Sequence, residues 1–73
     1  MDITERRRAL ITQLAAARME KGMTQAQLAR AIGTQRSNIC RLESGAQNLT
    51  VDMLIKITAA LGKDMTIFLE DFL

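Results

Sequence analysis

Histidine, proline, tryptophan and tyrosine are missing from this chain, and cysteine occurs once. With no histidine and no cluster of cysteines, no zinc site is expected. The lone Cys40 excludes an internal disulfide framework and fits a reducing compartment. Without proline, no segment is interrupted from within by a missing N–H. No apolar run approaches the ~20 residues that cross a bilayer, and no signal-peptide pattern precedes the first helical segment, so a cytoplasmic protein without membrane contact is expected. Enzymatic chemistry is poorly provided for, with no Gly-rich phosphate loop and no nucleophile–base pairing; no cofactor and no metal are expected.

What is present is a chain of 73 residues, 48% of them hydrophobic, which is a globular composition rather than a disordered one. It reads as a single domain over 1–73. A domain this small buries only ~60% of its extended surface, so its core is thin. The net charge of +2 hides an asymmetry. Residues 1–42 carry eight Lys or Arg against three acids, a net +5, whereas residues 43–73 carry two against five, a net −3. A basic half suggests a face that meets a polyanion. Uneven charge on a small helical domain is the plainer alternative.

The glycines Gly22, Gly33, Gly45 and Gly62 each follow an apolar-periodic segment and mark the ends of four helices. The first helix is expected from Ile3 to Lys21, with Asp2 as N-cap and Glu5 as its capping-box partner. Leu10, Ile11 and Leu14 form its inward stripe, with Arg18 one turn on. The second starts at Thr24, where Thr24 and Gln27 form a capping box and Met23 and Leu28 a hydrophobic staple. The third starts near Thr34 or Gln35. The fourth starts at Thr50, and its apolar residues Val51, Leu54, Ile55, Ile57 and Leu61 cover a wide arc, as for a central core helix. Met23, Met53 and Met65 read as core filling. The tail, Met65 to Leu73, alternates as a strand does and is read first as a strand; a last helical turn capped by Asp64 or Thr66 is the alternative. An edge strand would be protected by pairing with its copy in a second subunit. In the alternative, Phe68, Phe72 and Leu73 fold back on the monomer core.

Residues 24–45 place two short helical patterns on either side of Gly33 and Thr34. The first holds Leu28, Ala29 and Ile32; the second holds Ile39 and Leu42. On a wheel of 100° per residue, Ser37, Arg41 and Ser44 fall opposite Ile39 and Leu42, with Arg36 and Cys40 flanking them on one side and Asn38 on the other; the outward surface is Arg36, Ser37, Cys40 and Arg41, with Gln35 and Asn38 near the N-terminal end. Two helices joined by a Gly-containing turn, the second polar and basic outside, form the helix-turn-helix device for reading DNA. Arginine pairs with guanine, asparagine and glutamine with adenine, and serine is adaptable. Taken singly, each of these side chains is a solvated surface group; taken as a set on one face, they favour DNA contact. The free N–H groups at the start of the second helix suit a phosphate, with Gln25 donating alongside them or instead orienting Gln35 or Arg36. Arg6, Arg7 and Arg8 cover different sides of the first helix, so they cannot all face one DNA strand. Cys40 reads as a small side chain tolerated at this surface.

The run Thr24-Gln25-x-x-Leu28-Ala29-x-x-x-Gly33, followed by Ile39, Glu43, Gly45, Leu54 and Leu61-Gly62, resembles the Cro/repressor-type (XRE-like) helix-turn-helix family over roughly residues 6–69. The resemblance implies an all-α, lambda-repressor-like fold of four helices plus a short C-terminal strand or extra helical turn. It implies that the third helix enters the major groove and that the protein binds a pseudo-palindromic operator as a homodimer. By position, Arg36, Ser37 and Arg41 match base-reading residues, Gln25 a phosphate-binding glutamine, and Asn38 a position used for bases or backbone. It also implies a structural ion pair between Arg18 and Glu43. The chain departs from the family at Leu49, where proline commonly precedes the fourth helix. The MTIFLE segment is similar to antitoxin-like members that share a strand across the dimer. The expected function is therefore sequence-specific binding of double-stranded DNA by a transcriptional regulator, a repressor, with a C-terminal dimerisation tail over 63–73. The alternative is an antitoxin that clasps a toxin protein and autoregulates its operon.

Overall fold

The computed structural model describes residues 2–70. Within them the chain forms five helices, α1 (Ile3–Glu20), α2 (Gln25–Ile32), α3 (Arg36–Glu43), α4 (Val51–Ala60) and α5 (Met65–Glu70), and no strand. Their starts are set by side chains written into the sequence. Asp2 accepts from the N–H groups of Thr4 at 2.6 Å and Glu5 at 3.2 Å, so Glu5 enters the cap through its backbone rather than through a return side-chain bond. Thr24 and Gln27 form the expected reciprocal capping box, at 3.0 and 2.8 Å. Thr50 caps α4 by accepting from Met53 N–H at 3.1 Å.

One core runs through all of this. Ile11, Leu14 and Ala17 of α1, Leu28 and Ala29 of α2, Ile39 and Leu42 of α3, and Leu54, Ile57 and Leu61 of the α4 region are buried together. Met23, Met53 and Met65 pack against its edge, as filling residues should. The buried stripe of α4 is narrower than the sequence suggests. It runs through Leu54, Ile57, Thr58 and Leu61, leaving Val51 68% and Ile55 46% exposed. Thr58 takes a core position because its hydroxyl donates to the carbonyl of Leu54 at 2.8 Å, which removes the penalty of burying it.

The C-terminal segment corrects the strand expectation: Met65–Glu70 is helical. Asp64 accepts from Thr66 N–H at 2.8 Å, and Phe68 N–H bonds the Asp64 carbonyl at 2.9 Å, so Asp64 is the cap that the alternative reading named. Met65, Phe68 and Leu69 then fall at the i, i+3, i+4 spacing and pack against the core. A run this short satisfies both periods, and the body of the protein decides between them by offering an apolar seat one helix face wide. Phe72 and Leu73 lie outside the described residues. Among the described residues, no helix is long and apolar enough to cross a membrane.

Candidate nucleic-acid interface

The site is built on α2, α3 and the turn between them. Leu28 and Ala29 on one helix and Ile39 and Leu42 on the other are all 2% exposed or less, which fixes the angle at which α3 is presented. Gly33 ends α2 with φ at +75°. Its left-handed conformation lets Thr34 N–H reach back to the Ala29 carbonyl at 2.9 Å and turns the chain in three residues. Gln35 follows in extended conformation as the N-cap residue of α3, although its side chain makes no capping bond.

With Ile39 and Leu42 facing inward, Gln35, Arg36, Ser37, Cys40 and Arg41 stand exposed, and Asn38 is half-buried at the margin. This is the face expected from the helical wheel. Two partners escaped the sequence reading. Asn38 donates from Nδ2 to Thr34 Oγ1 at 2.7 Å and accepts at Oδ1 from Arg41 Nη2. Arg41 Nε also donates to Gln47 Oε1 at 3.3 Å, from α3 to the loop that follows it. Thr34 lies in the turn, one residue before the α3 cap, and Gln47 in irregular chain, so no helical period announces either.

Behind this face, Arg18 of α1 meets Glu43 at the end of α3 in a two-point contact. Nε lies 2.7 Å from Oε2 and Nη2 lies 2.9 Å from Oε1. The third nitrogen, Nη1, donates to the Met23 carbonyl at 2.6 Å. The side chains are 10% and 13% exposed. Burial pushes the Glu43 carboxyl up, but hydrogen bonds from Arg18 and Gln25 and the Arg18 charge outweigh it and hold its pKa below the ordinary 4.5. Hydrogen bonding to Glu43 raises the Arg18 pKa against the opposing effect of burial.

Gln25 joins this cluster by donating from Nε2 to Glu43 Oε1 at 3.0 Å. The alternative in which it orients Gln35 or Arg36 is thereby corrected: its partner is Glu43. Its position at the first turn of α2 leaves the N–H groups of Gln25 and Ala26 without intrahelical partners. Arg6, Arg7 and Arg8 are exposed and divide between two hollows. Arg7 and Arg8 line a cleft of about 340 Å³ shared with Glu43 and Ser44. Arg6 and Arg7 border a more apolar hollow of about 230 Å³ with Ile3, Leu10, Leu49 and Leu69.

A bihelical unit set on a small helical body, with a polar and basic second helix, defines a helix-turn-helix domain. A helix-turn-helix family model matches residues 14–68. The chain belongs to the Cro/repressor-type (XRE-like) helix-turn-helix family. It is 38% identical over 59 residues to a protein of Haemophilus influenzae described as an uncharacterized HTH-type transcriptional regulator, covering 81% of this chain. This chain spans 60% of that relative's length. The fold is similar to the crystal structure of the clp gene regulator ClgR from C. glutamicum, with a TM-score of 0.82 and 27% identity, over 97% of this chain and 90% of that one.

Proposed function

We propose that this protein binds double-stranded DNA sequence-specifically as a homodimer on a pseudo-palindromic operator and acts as a transcriptional repressor. The observation that carries the reading is the outward face of α3: Arg36, Ser37 and Arg41 exposed on one side of a helix whose other side is locked into the core by Ile39 and Leu42. Arg36 and Arg41 read guanine in the major groove, with Gln35, Ser37 and Asn38 beside them. Gln25 and the N–H groups at the start of α2 hold a phosphate and set the register.

A second copy covers apolar surface on the C-terminal side. Val51 and Ile55 are exposed one turn apart on α4, the helix against which α5 packs, and they form the subunit contact of this reading; the dimerisation tail expected over 63–73 lies partly outside the described residues. The antitoxin alternative loses its supporting feature, because the MTIFLE segment that suggested a shared strand is α5.

Selection of bound duplexes from a random pool at fixed salt tests the reading. A symmetric consensus with half-sites ~34 Å apart is the expected result. Uniform, salt-sensitive binding to all sequences would contradict it.

A further inference from the structure

We infer that Asn38 and Gln47 are positioning residues that aim Arg41 at the DNA, and that Asn38 does not itself read a base. The inference rests on the assignment of α3 as the reading helix.

The Nε and Nη2 groups lie along the same edge of a guanidinium. In Arg41 both face acceptors of the protein: Gln47 Oε1 from the loop after α3, and Asn38 Oδ1 from the preceding turn of the same helix. The orientation of the Asn38 amide is forced. Arginine offers no acceptor, so Oδ1 must face it, and Nδ2 then falls on Thr34 Oγ1 at 2.7 Å. A bidentate contact to adenine requires Oδ1 and Nδ2 to point together at one base edge. Here each is already engaged by a protein partner, Oδ1 by Arg41 and Nδ2 by Thr34. What Arg41 has left is its terminal edge, formed by Nη1 and the second hydrogen of Nη2, a fork that matches O6 and N7 of guanine. Thr34 anchors the relay to the turn that defines the motif, and Gln47 anchors it to the far end of α3. Arg41 is therefore held before DNA arrives, which reduces the side-chain freedom it must lose on binding.

The test uses the full chain and the duplex that wild-type protein selects from a random pool, with dissociation constants measured for every single-base variant of that duplex at fixed salt. Arg41→Ala flattens a guanine preference at one position in each half-site. Asn38→Ala and Gln47→Ala each lower that same preference about tenfold and leave the other positions unchanged. Asn38→Ala added to Arg41→Ala has no further effect on base preference. Gln47→Glu keeps the acceptor and so restores the preference, while its charge weakens binding to all duplexes alike. In the free protein, NMR shows the Arg41 Nε–H exchanging with water more slowly than that of Arg36, and Gln47→Ala removes the difference. The positioning role is overturned if Asn38→Ala alters an adenine preference at a different base pair, or if Gln47→Ala leaves the guanine preference intact where Arg41→Ala abolishes it. If Arg41→Ala changes no position although the Arg41 Nε–H of the wild-type protein is protected, the bonds stand but the reading role of α3 fails at Arg41, and the proposal fails with it.

Discussion

Arg18 and Glu43 meet edge to edge, 25 residues apart in sequence, with N–O distances of 2.7 and 2.9 Å and almost no access to water. The pair joins α1 to the last turn of α3, and through Nη1 and Gln25 it also holds the α1–α2 connection and the first turn of α2. No buried side-chain nitrogen or oxygen among the described residues lacks a hydrogen-bond partner. The cluster is closed, so removing one member strands another. Arg18→Ala is expected to destabilise the fold by about 3–5 kcal/mol because the Glu43 charge is left without its partner. Thermal melts of Arg18→Ala, Glu43→Ala and the double variant check this. The double variant should lose much less than the sum of the singles; additive losses would show that the two side chains do not act as a pair.

Acid acts on the same contact. The Glu43 carboxyl has its pKa lowered in the folded protein, so the folded state holds its proton less tightly than the unfolded chain does. Its contribution to stability is complete above the ordinary value of 4.5 and is lost as pH falls through the lower folded value. Denaturant melts across this range should show unfolding free energy falling more steeply for wild type than for Glu43→Gln. Parallel pH curves for the two proteins would remove Glu43 from the account.

Gly33 sets the angle between α2 and α3 through its φ of +75°. A methyl group there would meet nothing within 4 Å, so any penalty is that of the backbone conformation alone. Gly33→Ala is expected to destabilise by about 1–2 kcal/mol, and Gly33→Asn by less, since asparagine tolerates the left-handed region. Equal melting temperatures for wild type and Gly33→Ala would contradict this.

Where helices begin and end was legible because local chemistry decides it: Asp2, Thr24 and Thr50 cap, and Gly33 terminates. The outward set on α3 was legible for the same reason, since two apolar residues at the right spacing fix where the others point. Three features needed tertiary structure. Val51 and Ile55 are apolar but exposed, while Thr58, which satisfies its own hydroxyl, is buried on the same helix. The tail carries both periods, and its packing against the core selects the helix. Asn38 and Arg41 read as separate DNA contacts and Gln25 as a phosphate donor or a group orienting Gln35 or Arg36, whereas Gln25 is tied to Glu43 and the other two to each other. Side chains that seem free in a sequence can be engaged by partners far along it, and Gln47 is such a partner for Arg41.

Those bonds separate the expected effects of substitution at the interface. Arg36 is exposed and carries no bond to another side chain like those on Arg41. Arg36→Ala should therefore leave melting unchanged while removing about 1–3 kcal/mol of discrimination at one base pair. Gln25→Ala should behave in the opposite way. It removes the donor proposed to hold a phosphate, which should weaken binding to every sequence alike, and it removes a hydrogen bond from Glu43, which should lower the melting temperature. Affinities for the selected duplex and its single-base variants, measured well below the melting transition, distinguish the two residues. Unchanged operator discrimination in Arg36→Ala would place the reading surface elsewhere than on α3.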